Sequence, residues 1–169
     1  MANSKQRSKG FDIIWAPWRY KYIIKPSKGC FICKANPKTK SFVFQTRFSK
    51  VLLNMFPYNN GHLLLAPKRH IKELKKLTLQ EVQDIFYTLN LSIELLKETL
   101  NPEGFNIGLN LGKSAGAGLE SHLHFHIVPR WKGDANFLPI ISNTKVISQS
   151  LESVKKLLKD AYKKRMGRI

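Results

Sequence analysis

The residues best suited to chemistry are three histidines that alternate with apolar residues late in the chain. His122, His124 and His126 are three of the five histidines among 169 residues. The run HLHFHIVPRW alternates as a β-strand does, and side chains two residues apart on a strand share a face about 6.5–7 Å apart. The pattern therefore predicts a strand over 122–131 that carries three imidazoles on one face and apolar residues on the other.

One metal ion cannot account for all three rings. On a strand His122 and His126 are about 13 Å apart, whereas a zinc–nitrogen bond is about 2 Å long. The three histidines therefore have at least two different roles, unless they are simply exposed rings on an edge strand. A neutral imidazole beside a phosphate can act as a nucleophile at physiological pH.

A glycine-rich loop, KSAGAG, comes directly before this strand. Glycines such as Gly116 let backbone N–H groups approach an anion, while Lys113 and Ser114 add a charge and a hydroxyl. The loop has neither the Walker A nor the Rossmann spacing. Phosphate next to imidazole favours phosphoryl or nucleotidyl transfer. Arg130 is a further phosphate-binding candidate on chemical grounds, or else an ordinary surface charge.

The surrounding elements alternate in the order strands, helix, strands, helix. Short β-prone runs (SFVF, KVLLNMF, HLLLA) precede a helix that starts at the capping box Thr78-x-x-Glu81 and ends at 101–104. FNIGLNLG alternates as a strand, and SQSLESVKKLLKDAYKK has helical spacing. The order predicts an α+β domain with a mainly antiparallel sheet over 11–169, after a disordered basic tail at 1–10. The apolar face of the first helix is expected to contain Val82, Ile85, Phe86, Leu89, Ile93, Leu96 and Leu100.

The composition limits the partners. The net charge of +18 favours nucleotides or nucleic acids as ligands, or it reflects a lysine-rich solvated surface. No apolar run is long enough to cross a bilayer, and the N-terminus lacks the features of a secretory signal, so a cytoplasmic protein is expected. Trp15, Trp18 and Tyr22 must be buried in this chain or against a partner subunit. Cys30 and Cys33, the two cysteines, form half of a metal site, a redox dithiol or two ordinary small residues.

The chain resembles the histidine-triad (HIT) superfamily, whose signature is His-x-His-x-His followed by apolar residues. The resemblance covers about residues 11–160 and includes Asn54, eight residues before His62. The segments WAPWRYKYI and VPRW resemble the longer members, among them diadenosine tetraphosphate phosphorylases. The resemblance implies a HIT-like α+β fold and a homodimer.

The resemblance also implies a role for each matching position. His124 would attack the α-phosphorus and form a nucleotidyl-histidine, His126 would bond the phosphate oxygens, and His62 would support the cluster. Asn54 would hold the ribose hydroxyls. The sequence departs from many members at Gly118, where they have a glutamine that contacts phosphate or the leaving group.

A zinc ion is implied in the same way. Zinc-bearing relatives complete a Cys-x-x-Cys pair with a distant histidine and with the first histidine of the triad. The matching set in this chain is Cys30, Cys33, His70 and His122, which would hold a structural zinc.

The expected activity is cleavage of a dinucleoside polyphosphate, with diadenosine tetraphosphate as the expected substrate and phosphate as the acceptor. Asymmetric hydrolysis differs only in the acceptor. A nucleoside phosphoramidase is a further alternative, although its short relatives usually lack the Cys-x-x-Cys pair and the aromatic N-terminal segment. A non-catalytic nucleotide- or nucleic-acid-binding protein is disfavoured by the presence of His124, and no membrane partner is expected.

Overall fold

The structure is a computed structural model that describes residues 29–134 and 147–167. The expected basic tail at 1–10 and the aromatic residues Trp15, Trp18 and Tyr22 lie outside these residues. The described strands are β1 (Phe42–Gln45), β2 (Ser49–Leu53), β3 (Leu63–Pro67), β4 (Gly104–Leu109) and β5 (Phe125–Arg130), and the α-helices are α1 (Phe31–Lys34), α2 (Leu79–Leu100) and α3 (Leu151–Met166).

The described strands form one sheet in the order β1-β2-β3-β5-β4. Every neighbouring pair is antiparallel, which confirms the predicted α+β class with an antiparallel sheet. Every residue of β2 and β3 is buried. Because β5 lies beside β3, its histidine, His126, is placed next to the buried middle of the sheet.

The two faces of the sheet pack against different elements. Leu53, Leu63 and Ile127 belong to the larger core cluster, which includes residues of α2 and α3. Leu52 and Leu64 point to the opposite face because side chains alternate along a strand, and they pack with Ile32 of α1 in a smaller cluster. His126 is the cross-strand partner of Leu64. The imidazole of His126 therefore lies on the α1 face of the sheet.

Helix α2 starts and ends where the sequence predicts. Thr78 and Glu81 exchange both hydrogen bonds of the capping box, and Asn101 ends the helix with a left-handed φ of 47°. The prediction that Phe86 lies on the buried face is wrong, since Phe86 is 62% exposed. Successive helical residues are about 100° apart, so a helix that buries Ile85 in the core turns Phe86 towards solvent. None of the described helices is both long enough and apolar enough to cross a membrane.

The strand predicted over 122–131 is shorter than expected. β5 begins only at Phe125, and His122 lies at a bend before it. In the segment before the strand, the Leu123 N–H donates to the Ile71 carbonyl at 2.6 Å. The His122 ring faces the two cysteines, of which Cys30 caps α1 and Cys33 lies within it.

Candidate active site and metal cluster

A row of polar side chains follows the α1 face of the sheet. Asn54 comes just after β2, His62 just before β3, and His126 lies in β5. Asn54 Nδ2 lies 3.2 Å from His62 Nδ1, and His62 Nε2 lies 2.9 Å from His126 Nδ1. The ring centroids of His126 and His124 are 5.1 Å apart. The structure therefore brings these four predicted residues together in the order 54, 62, 126, 124.

Hydrogen bonds assign a tautomer to each histidine of this row. The Tyr58 N–H donates to His62 Nδ1 at 3.0 Å, so a neutral His62 carries its proton on Nε2 and donates it to His126 Nδ1. His126 then carries its own proton on Nε2. At the other end, His124 Nδ1 donates to the His122 carbonyl at 2.8 Å. A neutral His124 therefore has its lone pair on Nε2, which is the form a nucleophile requires.

Tyr58 is a site residue that sequence reasoning missed. Its ring stacks on His62 with centroids 4.9 Å apart and on His126 at 5.8 Å. Its backbone N–H also fixes the tautomer of His62, as described above. Tyr58 lies in the irregular segment between β2 and β3, where no periodic pattern marks its orientation. Only the turn residues Asn59 to Gly61 in the sequence indicate that the chain reverses there.

The second cluster contains the four residues predicted as metal ligands. Cys30, Cys33, His70 and His122 each offer one ligand atom, and the four atoms lie within 4.8 Å of one another. His122 Nδ1 lies 3.2 Å from Cys30 Sγ and 3.2 Å from His70 Nδ1, and Cys33 Sγ lies 3.1 Å from His70 Nδ1. Ligands in a tetrahedral zinc site are about 3.3–3.8 Å apart. The cluster could hold one metal ion.

The surroundings of His122 also fit metal binding. Its Nε2 donates to the Pro67 carbonyl at 2.9 Å, which leaves the Nδ1 lone pair facing the thiols, as in metal sites where a backbone carbonyl orients the ligand. Burial lowers the pKa of His122, so the ring favours its neutral, ligating form. Burial raises the pKa of Cys33, and metal binding would have to displace that thiol proton.

Lys50 supports the Cys-x-x-Cys segment through hydrogen bonds to the backbone next to it. Its side chain is buried, and its ammonium donates to the carbonyls of Ile32 and Ala35, both at 3.1 Å. Helix α1 has only four residues, which is too short to be stable alone. Lys50 ties the end of that helix to β2. Sequence reasoning missed this role because an isolated lysine in a strand normally predicts a solvent-exposed side chain.

The glycine-rich loop begins beside His124. Gly112 and His124 line the same cleft, and Lys113 and Ser114 follow Gly112 in an exposed 3₁₀ turn. Gly116 ends this turn at φ 81°, where a side chain would be strained. Phosphate binding by Lys113, Ser114 and Gly116 stays a prediction.

Arg130 lies at the far end of β5 from His124. Its guanidinium donates to both carboxylate oxygens of Asp134, at 2.6 and 2.8 Å, and to Asn106. Hydrogen bonding to Asp134 raises the pKa of Arg130. The structure thus gives this arginine a structural partner, and its predicted contact with substrate stays a prediction.

The chain belongs to a recognised class of protein. Residues 36–133 match the HIT domain family model, so the chain is a member of the HIT domain family. It is 39% identical over 158 residues to the AP-4-A phosphorylase of Mycobacterium tuberculosis (strain CDC 1551 / Oshkosh), which covers 86% of this chain and 81% of that protein. It is 36% identical over 91 residues to the bis(5'-adenosyl)-triphosphatase of Dictyostelium discoideum, covering 54% and 60%.

Solved structures share the fold. A zinc-bound histidine triad family protein from Mycobacterium smegmatis superposes with a TM-score of 0.60 at 24% identity, over 76% of this chain and 87% of that chain. The histidine triad nucleotide-binding protein ST2152 from Sulfolobus tokodaii gives a TM-score of 0.65 at 22% identity, over 83% and 96%. At these identities the likeness extends to the fold alone.

Proposed function

We propose that this protein is an enzyme that cleaves dinucleoside polyphosphates at the α-phosphate, with diadenosine tetraphosphate as substrate and inorganic phosphate as acceptor. The observation that carries the proposal is the hydrogen bond from His124 Nδ1 to the His122 carbonyl, because it leaves the Nε2 lone pair for attack on phosphorus. The 39% identity to an AP-4-A phosphorylase over most of both chains supports the substrate and the acceptor.

The proposed reaction has two displacements at one phosphorus. In the first, His124 Nε2 forms a bond to the α-phosphorus, the bond to the bridging oxygen breaks, and ATP leaves. In the second, a phosphate oxygen attacks the same phosphorus, the P–N bond breaks, and ADP is released with His124 restored. The His122 carbonyl stabilises the positive charge that the His124 ring acquires, since it faces the Nδ1 proton.

The other residues of the row bind rather than react. His126 carries its proton on Nε2, as the hydrogen bonds from Tyr58 to His62 and from His62 to His126 require. The Nε2–H of His126 donates a hydrogen bond to a phosphate oxygen. Asn54 contacts the ribose hydroxyls. Lys113, Ser114 and the backbone at Gly116 bind the remaining phosphates, and Arg130 contributes positive charge at the end of the strand.

The ion proposed for the metal cluster is zinc with a structural role. Two thiolates and two neutral imidazoles are a common zinc ligand set, and it would join three separate parts of the chain: the Cys-x-x-Cys turn, His70 and His122. Such an ion would fix the backbone at His122, whose carbonyl orients His124. Cysteines kept reduced for metal binding favour the cytoplasm as the compartment.

The proposed assembly is a homodimer. β4 is an edge strand of the described sheet, and its Ile107 is 43% exposed although the alternation predicts an apolar face. An exposed apolar edge strand is a template for pairing with a second chain. Light scattering after size-exclusion chromatography tests this: we expect a dimer for the native protein and a monomer for Ile107→Lys, and a monomeric native protein would contradict it.

Product analysis tests the reaction. The purified protein is incubated with diadenosine tetraphosphate, with and without phosphate, and the nucleotides are separated by chromatography. We expect ADP and ATP, formed only when phosphate is present. AMP and ATP without phosphate would identify water as the acceptor, and unchanged substrate under both conditions would overturn the proposed function.

A further inference from the structure

A cleft next to His124 is left without a role by the proposed reaction. The segment 72–75 lines this cleft together with residues 110–112, 119, 120 and 122–124. We propose that this cleft binds the second nucleoside of the substrate, which leaves with the departing nucleotide. The inference rests on the proposed function and specifies which part of the substrate each region of the site holds.

The position of the cleft follows from the order of the histidine row. Asn54, the proposed ribose ligand, lies at one end beside His62. His124 lies at the other end, and it is the member of the row that lines the cleft. A substrate with one ribose at Asn54 and its α-phosphorus at His124 therefore continues into the cleft. The two ends of a dinucleotide are then bound by different parts of the chain.

The size and lining suit a nucleoside. The cleft volume is about 310 Å³, which lies at the lower end of the range for small-ligand pockets, about 300–1,000 Å³. Leu119 and Leu123 contribute apolar surface to its lining. Leu74 and Leu111 also line the cleft and are 42% and 53% exposed. Exposed leucines in the lining can pack against a planar base and remove apolar area from water.

The charges argue for a nucleoside rather than a polyphosphate in the cleft. Lys72 and Lys75 are balanced by Glu73 and Glu120 among the lining residues. Lys72 Nζ lies 3.8 Å from Glu120 Oε2, and this partly exposed pair is worth little energetically. A polyanion would favour an excess of cations, whereas carboxylates and Asn110 can accept or donate hydrogen bonds to a base and a ribose.

The test compares two substrates that differ in the leaving group. Diadenosine tetraphosphate has a second nucleoside, and the p-nitrophenyl ester of AMP has none. Leu74→Asn and Leu111→Asn each remove an apolar side chain from the cleft lining without adding charge. Leu157→Asn is the matched control, since Leu157 is 41% exposed and lies in α3. We expect the ratio of kcat/KM for the dinucleotide to kcat/KM for the ester to fall about tenfold in each cleft variant, mainly through KM. The control should keep the native ratio.

The outcomes separate this inference from the proposed function. A native protein that turns over neither substrate overturns the proposed function and this inference with it. Native turnover of both substrates, with an unchanged ratio in both cleft variants, overturns the cleft assignment alone. An equal fall in the control variant would likewise contradict it, because the effect would then not depend on the cleft.

Discussion

The two histidine clusters meet in one segment of the chain, where His122 belongs to the metal cluster and His124 to the row of Asn54, His62 and His126, and the two rings use opposite nitrogens. In the metal cluster, His122 presents Nδ1 to two sulfur atoms and a second imidazole, and its Nε2 is bonded to a carbonyl. In the row of Asn54, His62, His126 and His124, the Nδ1 of His124 is hydrogen-bonded to a carbonyl, which leaves the lone pair on Nε2. The backbone carbonyl thus selects the reactive nitrogen in each case.

The two clusters are also joined through one peptide unit. The carbonyl that orients His124 belongs to His122, whose side chain lies in the metal cluster. A metal ion bound to His122 would therefore also hold in place the carbonyl that accepts the hydrogen bond from His124. Under the proposed function, one cluster stays in place and the other reacts, and the first would stabilise the geometry of the second.

The largest expected effect is on activity, from His124→Ala. We expect turnover of diadenosine tetraphosphate to fall by about 10⁴-fold or more, since the covalent route is lost. Zinc content and the thermal midpoint should stay near the native values, because the His124 side chain hydrogen-bonds to a backbone carbonyl and not to a metal ligand's side chain. Steady-state kinetics and metal analysis measure both. Turnover within tenfold of the native rate would remove His124 as the nucleophile.

Cys33→Ser should produce the converse result. Loss of one thiolate from a four-ligand set removes most of the zinc affinity, and structural zinc contributes directly to folding. We expect less than about half an equivalent of zinc per chain and a thermal midpoint lowered by about 10 °C or more. His124→Ala is the control, because it should retain zinc. A native protein that contains no zinc when it is prepared without chelator would contradict the metal assignment.

The sequence predicts some features of these two clusters and misses others, for physical reasons. The alternation around His126 and the capping box at Thr78 are local patterns, and both are confirmed. The bend at His122 depends on contacts with Ile71 and Pro67, which are distant in sequence. Tyr58 owes its place in the site to a turn, which has no periodic signal, and local pattern alone could not locate it.

Lys50 offers a finer test of the metal cluster, because it supports the cluster without being a ligand. In Lys50→Met, the carbonyls of Ile32 and Ala35 lose their buried donor. We expect zinc affinity to fall about 10- to 100-fold, as for other residues that support metal ligands, while the protein still binds one equivalent at saturating zinc. Competition with a chromophoric chelator measures the affinity.

Lys68→Met is the matched control for Lys50. Lys68 also donates to a backbone carbonyl, that of Arg47, but its bond is exposed. We expect this variant to bind zinc with native affinity. If both variants lost affinity equally, general charge removal would explain the effect. If neither did, Lys50 would have no role in holding the Cys-x-x-Cys turn.

The smallest effect concerns the anchor of the segment that carries His70. Arg69 makes two hydrogen bonds to the buried carboxylate of Glu81, at 2.9 and 2.7 Å. These bonds lower the pKa of Glu81 from 4.5 to about 2. A lowered folded-state pKa contributes stability above the unfolded value of 4.5, and this contribution is lost as the pH falls towards 2.

Glu81→Gln removes the titrating carboxylate. The test is therefore how the difference in unfolding free energy between the native protein and the variant depends on pH. We expect the variant to be less stable by about 2 kcal/mol at neutral pH, a value reduced for the screening of Arg69, which is half exposed. This difference in stability should decrease steadily as the pH falls from about 5 to about 2. Urea unfolding of both proteins across that range measures it, and zinc release at low pH affects both alike. A difference in stability that stays constant down to pH 2 would mean that the charge of Glu81 contributes no stability, and that the ion pair with Arg69 does not hold the His70 segment in place.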